Sequence, residues 1–209
     1  LDGTFTNKNL QVGAAAGETI AITIDDLRGS TLGSIASVTS VEVDDELVAG
    51  ELTLNGVDIG ATASDGVSTA ESDFSSLAMV TAINAKSSQT NVYAEVNGTT
   101  ITASGAVTAD VLNATDNITI NGVTIGSAAS TVDVLAADAD GALRDAINAV
   151  SNTTGVTASL NASNQLVLTA TDGRNIVFAE AGTGDTVTAI TAQTEHGTFA
   201  VYSDTAFVI

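Results

Sequence analysis

The residues that could do chemistry are few, and they form no catalytic pattern. His196 is the only histidine among 209 residues, so any histidine-dependent general base would have to be this side chain. It stands beside Gly197, a residue typical of turns, which predicts a solvated loop or strand-end position. The chain contains neither the H-E-x-x-H sequence of zinc proteases nor the G-x-S-x-G sequence of serine hydrolases. We therefore predict no catalytic residues and no enzymatic activity.

Acidic side chains form three clusters, at Asp25-Asp26, at Asp44-Asp45-Glu46 and at Asp138 with Asp140. Carboxylates are ligands that Ca²⁺ accepts, and residues 138–141 resemble part of an EF-hand loop. The glycine of that segment, however, comes two residues too early for the D-x-[DN]-x-[DN]-G pattern. Capping of a helix by Asp138 or Asp140, with solvated acidic turns elsewhere, explains the same residues. We predict no metal site and no cofactor.

The composition excludes two classes of partner. Twenty-five acidic residues outnumber five basic ones and give a formal net charge of -20. Nucleic acids and anionic membrane surfaces both require clustered lysine and arginine, so neither is an expected partner. Cysteine is absent, so the fold has no disulfides, and 44% of the residues are hydrophobic, enough for a buried core.

An internal repeat is the most informative feature of the sequence. Leu52–Gly60 (LTLNGVDIG) matches Ile118–Gly126 (ITINGVTIG) at an offset of 66 residues. Ala82–Ala85 and Ala146–Ala149 are both AINA, at an offset of 64 residues. Matches in the same order at nearly constant spacing predict two copies of one structural unit.

Asparagine-glycine pairs punctuate both copies. Such a pair favours a two-residue hairpin turn, because a type I′ turn needs positive φ at both central positions. Asn55-Gly56 and Asn121-Gly122 are therefore predicted to close the first hairpin of each copy. Asn97-Gly98 is predicted to close a second hairpin, between residues 92–96 and 99–103. In the second copy the corresponding hairpin joins residues 156–160 to 165–169.

A helix is predicted between the two hairpins of each copy. Leu143 and Ile147 lie on one apolar stripe, with Asp138 or Asp140 at the helix start. In the first copy Leu77 and Ile83 are the predicted core residues, and Ser72 or Asp73 the cap. Each copy is therefore a ββαββ unit, and the fold class is α+β with predominantly antiparallel strands and one helix per unit.

The ends of the chain predict a β-rich base. Residues 9–12 and 18–24 alternate in polarity around a segment rich in glycine and alanine, which predicts a hairpin. Residues 198–202 and 206–209 are further predicted strands. We expect a discontinuous base from residues 1–50 and 185–209, with a first unit at 51–105 and a second at 117–184.

These motifs resemble bacterial flagellin. The segment from Ile118 to Phe178, with a weaker copy from Leu52 to Ala103, resembles the IN motif of flagellins and hook-associated proteins. Residues 1–33 are similar to the β-hairpin of the flagellin domain called D1, and residues 194–199 resemble the return toward that domain. The long terminal helices that polymerise flagellin are missing from these residues. The resemblance identifies the central variable region, of D2 and D3 type.

The resemblance implies a structural role in the extracellular flagellar filament. Neighbouring flagellin subunits are the implied partners, O-linked glycosylation of exposed serine or threonine is the implied modification, and the isolated chain is expected to be a monomer. The implied work is mechanical and antigenic, in support of motility. Two alternatives remain: a hook-associated or filament-cap protein, and a carbohydrate-binding adhesive module, which would need exposed aromatic rings such as Tyr93 and Tyr202.

Overall fold

The computed structural model describes residues 8–11, 19–22 and 36–209. β1 (Lys8–Gln11) and β2 (Thr19–Ile22) pair antiparallel, with Lys8 opposite Ile22 and Gln11 opposite Thr19. The predicted opening hairpin is therefore present as two strands. Its glycine- and alanine-rich loop, and the Asp25-Asp26 pair, lie outside the described residues.

The remaining elements alternate short strands with short helices, and every pair of strands is antiparallel. This confirms an α+β fold rich in strands. The further strands are β3 (Ala36–Thr39), β4 (Thr53–Leu54), β5 (Val57–Asp58), β6 (Tyr93–Val96), β7 (Thr99–Ala106), β8 (Asp110–Leu112), β9 (Asn117–Ile120), β10 (Val123–Ile125), β11 (Val132–Val134), β12 (Thr157–Leu160), β13 (Gln165–Ala170), β14 (Ile176–Ala181), β15 (Gln193–Glu195) and β16 (Phe199–Ser203). The helices are α1 (Ser76–Ala85), α2 (Ser87–Thr90), α3 (Ala142–Ala149), α4 (Ser151–Thr154) and α5 (Gly184–Thr188), with a short 3-10 turn at Ala136–Asp138.

Strand pairing places one unit inside the other. β6 pairs with β16, which also pairs with β3, so residues far apart in sequence form one three-stranded sheet. Everything from β7 to β15 lies between β6 and β16 in the chain and forms its own sheets. We call residues 36–96 with 198–209 the enclosing unit, and residues 99–195 the inserted unit.

The two units repeat the same sheet. In the inserted unit β13 lies between β12 and β7, with Leu168 opposite both Ala158 and Ile101. In the enclosing unit β16 lies between β6 and β3, with Val201 opposite both Ala94 and Val38. Ala94 and Ala158 are equivalent in the sequence repeat, so β3, β16 and β6 correspond to β7, β13 and β12.

Each unit has its own hydrophobic core. The inserted unit buries 20 hydrophobic residues in one cluster, centred on Ile118, Ile147 and Phe178. The enclosing unit buries a smaller cluster of 10, which includes Met79, Ile83 and Phe199. Two separate cores agree with two units that each bury their own sheet and helix.

Pairing differs from the sequence prediction at Asn97-Gly98. Gly98 has a φ of +79°, but Asn97 does not have a positive φ, so the pair does not form a type I′ turn. The chain instead passes from β6 in the enclosing unit to β7 in the inserted unit. The predicted hairpin is therefore wrong, because the apolar face of β7 packs in the core of the inserted unit.

The predicted boundaries shift accordingly. Residues 99–105 pair with the inserted unit rather than with residues 51–98, and β15 pairs with β14. β16 pairs with the enclosing unit, so residues 185–209 are shared between the two units rather than forming a base. Residues 206–209 form no strand.

The main helices differ in how they begin. α1 is capped by Ser75, whose hydroxyl accepts the Ala78 N–H at 3.0 Å, rather than by Ser72 or Asp73. Ile83 is fully buried, whereas Leu77 is only half-buried, and Met79 takes the core position one turn before Ile83. In α3, Leu143 and Ile147 are both fully buried. Leu77 is therefore not a core residue, because the packed face of α1 runs through positions 79 and 83.

Candidate functional site

Two asparagine turns hold equivalent positions in the two units. Asn55 and Gly56 have φ values of 52° and 78°, and Asn121 and Gly122 have 47° and 80°, as a type I′ turn requires. The Asn121 side-chain N–H donates to the Thr154 carbonyl at 2.8 Å. The Asn55 side-chain N–H donates to the Thr90 carbonyl at the same distance. Each turn is thereby tied to the end of its own short helix.

The same asparagines also bind a later segment of each unit, β14 in the inserted unit and the segment at Val208 in the enclosing unit. The Val177 N–H donates to Asn121 Oδ1 at 2.8 Å, and the Asn121 N–H donates to the Val177 carbonyl at 2.9 Å. In the enclosing unit the Val208 N–H donates to Asn55 Oδ1 at 3.0 Å, and the Asn55 N–H donates to the Val208 carbonyl at 2.9 Å. Val208 therefore occupies the place of Val177, although the two lie in unrelated sequence.

A second asparagine in each unit joins helix to sheet. Asn84 Nδ2 donates to the Ala94 carbonyl at 2.9 Å, and the Ala94 N–H donates to Asn84 Oδ1 at 2.8 Å. Asn148 makes the same pair of bonds to Ala158, at 3.1 and 2.8 Å. These are the asparagines of the two AINA segments. Their role is to fix the helix on the sheet.

Small residues bring the two units together. Ser76 Oγ, fully buried at the start of α1, donates to the Gly173 carbonyl at 3.0 Å. A Cβ added at Gly173 would lie 2.7 Å from Ser76 Oγ, and one added at Gly197 would lie 2.5 Å from the same atom. Only glycine therefore permits this close approach between the units.

Asn175 extends the junction toward the loop before α1. Its N–H donates to Ser68 Oγ at 2.9 Å, and its side-chain amide donates to the Glu71 carbonyl at 2.8 Å. Ser68 in turn donates to Asp65 Oδ2 at 2.6 Å. Burial acts to raise the pKa of Asp65, but hydrogen bonds from Ser68, Ser75 and backbone N–H groups outweigh it and lower that pKa. The loop is thus held to the inserted unit through an ionised carboxylate.

His196 lies at the same junction, where the chain returns from β15 to β16. His196 directly follows the end of β15, as the sequence predicts, but its side chain is only 11% exposed and is therefore not solvated. Nε2 lies 2.8 Å from Glu71 Oε2, and Nδ1 lies 3.8 Å from Glu42 Oε1. Both glutamates belong to the enclosing unit. The histidine is enclosed because β16 carries it back against residues distant in sequence.

Glu195 adds a third carboxylate to this cluster. Burial raises the pKa of Glu195, and the charge of Glu42 raises it further, whereas His196 lowers it. The contact that this cluster shows is the short one between His196 Nε2 and Glu71 Oε2, which joins the returning chain to the enclosing unit.

Asp138 holds the start of α3 through hydrogen bonds to its carboxylate. It is 1% exposed, and its carboxylate accepts the Leu143 N–H at 2.9 Å and the Arg144 Nε–H at 2.7 Å. Asp140 Oδ1 accepts the Ala142 N–H at 3.2 Å. Both aspartates thus satisfy N–H groups of the first turn of α3, although Asp138 is buried rather than solvated. Within residues 36–209 and the two strands of the opening hairpin, no three His, Asp or Glu side chains are grouped as metal ligands are.

Most other carboxylates face solvent. Asp44, Asp45 and Glu46 are all exposed. At Asp116, hydrogen bonds from Thr115, Asn113 and Thr183 lower the pKa. The two arginines of the inserted unit are already paired, Arg144 with Asp138 and Arg174 with Asp172, each at 2.7 Å. The surface of the described residues is therefore strongly negative.

An open cleft of about 500 Å³ lies beside the two tyrosines. Tyr93 and Tyr202 face each other across β6 and β16, with ring centroids 5.3 Å apart and an interplanar angle of 21°. The cleft is lined by Tyr93 together with Asn91, Asp204 and Thr205. Tyr93 is 38% exposed, so part of its ring faces solvent.

Comparison with known proteins finds one matching family and several similar proteins. Residues 117–172 match the family described as Flagellin hook IN motif. Over 182 residues, or 85% of this chain, the sequence is 31% identical to Flagellin A of Helicobacter mustelae. These matches support a bacterial flagellin variable region. It is also 31% identical to Flagellin A of Helicobacter pylori over 84% of the chain, and to Flagellin B of Helicobacter pylori over 88%.

The chain spans about a third of the length of the flagellins it matches. It covers 35% of the Helicobacter mustelae Flagellin A, and 33% and 37% of the two Helicobacter pylori flagellins. The match to the IN motif lies within the inserted unit. The enclosing unit carries the equivalent asparagine bonds at Asn55 and Asn84, so the motif's turn and helix geometry is present in both units. No helix in the described part of the chain is long and apolar enough to cross a membrane.

Little in the amino-acid sequence indicates the junction between the two units. Ser76, Gly173 and Asn175 meet only because β16 returns to the enclosing unit, and none of them stands in a recognisable motif. One usable signal was Asp172-Gly173, which predicts a turn. Which element that turn approaches is a property of the tertiary fold.

Proposed function

We propose that this chain is the outer, variable part of a flagellin and covers the surface of the extracellular flagellar filament. The observation that carries the proposal is similarity to flagellins over more than four fifths of the chain. The work is structural: the nested units decorate the filament, present its antigenic surface and contact neighbouring flagellin subunits. Motility is served through the filament and not through any catalytic step.

The acidic surface suits this role. A net charge of -20 on a domain that faces outward repels other cells at distances up to about one Debye length, roughly 8 Å at physiological salt. Exposed threonine and serine residues on the same surface are the candidate sites of O-linked glycosylation. The isolated chain is a monomer on this proposal.

We propose that the opening hairpin forms the base of the assembly, as in the flagellin domain D1. The enclosing unit follows it, and the inserted unit is carried by the enclosing unit at the β6–β7 and β15–β16 connections. This order supports placing the inserted unit farthest from the filament axis.

Immunogold electron microscopy of source cells tests the proposal, with antibody raised against residues 36–209. Gold along the whole filament is expected. Gold confined to the tip or to the hook junction would instead make the chain part of a cap or hook-associated protein. Label on the cell body beside bare filaments would contradict a flagellar role altogether. Cells lacking the gene for this protein are the matched control.

Deletion of the chain from its parent protein gives a second test. Filaments should still form, because assembly is expected to reside outside these residues. Absence of filaments, with the deleted protein still produced, would contradict the assignment of these residues to an outer region.

One observation favours a second function, adhesion to carbohydrate. Tyr93 offers a partly exposed ring at the edge of a cleft with polar side chains, a combination that sugar-binding sites use. A glycan array should then show binding that Tyr93→Ala abolishes, with Phe207→Ala as an aromatic control outside the cleft. Binding that survives Tyr93→Ala would dismiss this site.

A further inference from the structure

The enclosing unit contains an apolar pocket. In the inserted unit, core side chains fill the equivalent space. The pocket measures about 110 Å³, and its walls include Val38, Leu54, Ile83, Phe199, Val201 and Ile209. By the correspondence of strands and helices, the equivalent residues of the inserted unit are Ile101, Ile120, Ile147, Leu166, Leu168 and Phe178. All six lie in the closed core of that unit.

The two units differ most in burial at one of these six positions, the one that Phe178 holds in the inserted unit. Phe178 is 1% exposed and lies opposite Ile120 at the centre of its core. The residue in its place is Ile209, because Val208 makes the bonds to Asn55 that Val177 makes to Asn121. Ile209 is 64% exposed, so its side chain stands at the pocket without filling it.

The backbone of β4, beside the pocket, has one edge that pairs with no described strand. β9 is paired on both sides, with β10 and with β14, where Ala179 lies opposite Thr119. β4, its counterpart, pairs only with β5 among the described strands. The Ile59 N–H donates to the Leu52 carbonyl at 3.0 Å, so Thr53 and Asp58 form a pair without mutual hydrogen bonds. The N–H and carbonyl of Thr53 therefore point away from β5, toward the open edge.

We propose that this edge and pocket form a docking site for a β-strand that continues directly from Ile209 in the longer flagellin. The strand runs antiparallel to β4 and copies β14: the Ile209 side chain enters the pocket opposite Leu54, and the next residue pairs with Thr53. The relatives are about two and a half times as long as this chain, so polypeptide to supply the strand exists in proteins of this kind. The enclosing unit is thereby completed from outside the variable region.

The added strand is expected to bind because an exposed apolar pocket and an unpaired strand edge are both unfavourable in water. The inserted unit satisfies its equivalent groups with residues that follow the hairpin of β12 and β13 directly. The enclosing unit reaches the same point at Val208, already bonded in the right register. Three more residues suffice to copy β14 as far as Ala181, which lies opposite Asn117.

Extended chains test the proposal. Ala-Glu-Ala, the sequence of residues 179–181, is appended after Ile209, and Pro-Glu-Pro is appended in a matched control, since proline cannot donate to a strand. We expect Ala-Glu-Ala to raise the thermal midpoint by several degrees and to slow amide exchange at Thr53 about tenfold. Pro-Glu-Pro should change neither quantity.

A substitution identifies the side chain. Ile209→Asp should abolish the gain in the Ala-Glu-Ala chain and leave the 209-residue chain unchanged, because Ile209 is exposed there. No gain from Ala-Glu-Ala, or an equal effect of Ile209→Asp in both chains, would overturn the proposal. A gain that appears only with dimerisation in sedimentation experiments would assign the site to a second copy and would equally overturn it. Neither result bears on the filament role.

Discussion

Ile147 and Ile83 occupy equivalent positions on α3 and α1, and both are fully buried. Ile147→Ala should cost about 3–5 kcal/mol, because its surroundings are closely packed and a cavity would remain. Ile83→Ala should cost less, about 2–3 kcal/mol, since Ile83 already borders the open pocket. Urea unfolding measures both free energies. Leu135→Ala, at a residue 49% exposed, is the control and should stay within about ±0.5 kcal/mol. A neutral result at either isoleucine would contradict the repeat alignment.

The turn asparagine of the inserted unit can be tested separately from its backbone conformation. Asn121→Gly keeps the positive φ but removes the side-chain bonds to Thr154 and Val177. We expect a loss of about 2–3 kcal/mol, because both partners are left unpaired. Asn55→Gly should cost less, since Asn55 is exposed and water can replace its partners. Urea midpoints give the comparison, and equal losses would argue against this account.

Glu195 makes the junction sensitive to pH. Its pKa is raised in the folded protein, so folding favours the protonated form. The stability that it contributes is fully present below its unfolded pKa and is lost as the pH rises through the raised folded value. Glu195→Gln should therefore stabilise the protein at pH 7 and have little effect at pH 4. The gain should be below about 1 kcal/mol, because the group is partly solvated.

Thermal midpoints of the two chains across that pH range measure the effect of Glu195→Gln. Glu51→Gln, at an exposed site away from the cluster, is the matched control. A stabilisation as large at pH 4 as at pH 7 would contradict the role of the charge.

At the scale of elements, substitutions at two glycines distinguish the cost of an unfavourable backbone conformation from the cost of a steric clash. Gly173 and Gly122 have φ values of 78° and 80°, but an added Cβ meets Ser76 Oγ at 2.7 Å only at Gly173 and finds nothing within 4 Å at Gly122. Gly122→Ala should cost about 1–2 kcal/mol for its conformation. Gly173→Ala should cost about 1–3 kcal/mol more, because it pushes α1 away from the inserted unit. Equal costs by urea unfolding would mean that the junction is not closely packed.

The pairing of the strands explains why the sequence predicts the repeat but not which strands pair with each other. Asn-Gly at residues 55–56 and 121–122 joins strands that are neighbours in sequence, and local turn geometry suffices to predict them. Asn97-Gly98 has the same residues, but β6 finds β16 and β7 finds β13. Which strands pair depends on how much apolar surface the whole sheet buries. A pair of turn residues carries no information about that burial.

At the scale of the whole molecule, nesting predicts that the units can be separated. Val96 lies opposite Phe199, so deletion of residues 99–198 leaves Val96-Asn97-Gly98-Phe199, the sequence of a two-residue hairpin. We expect this shortened chain to fold, with Asn97-Gly98 now forming the turn. Circular dichroism and a cooperative thermal transition would establish folding. A second chain, with residues 99–196 deleted, serves as the comparison. Its loop is two residues longer. An unfolded product from both would contradict two independent cores.

The sequence by itself determined the local features of this protein: the repeat, the two Asn-Gly turns, the helix faces of Ile83 and Ile147, the opening hairpin and the resemblance to flagellin. The turns, the helix faces and the hairpin each depend on residues close together in the chain, where periodicity and turn geometry act directly, whereas the repeat and the resemblance need only a comparison of sequence segments. The tertiary structure decided that one unit lies inside the other, that Ser76 meets Gly173, and that His196 is enclosed by glutamates. Those contacts join residues about 100 positions apart or more, and they form because each core closes over whichever strands bury the most apolar surface.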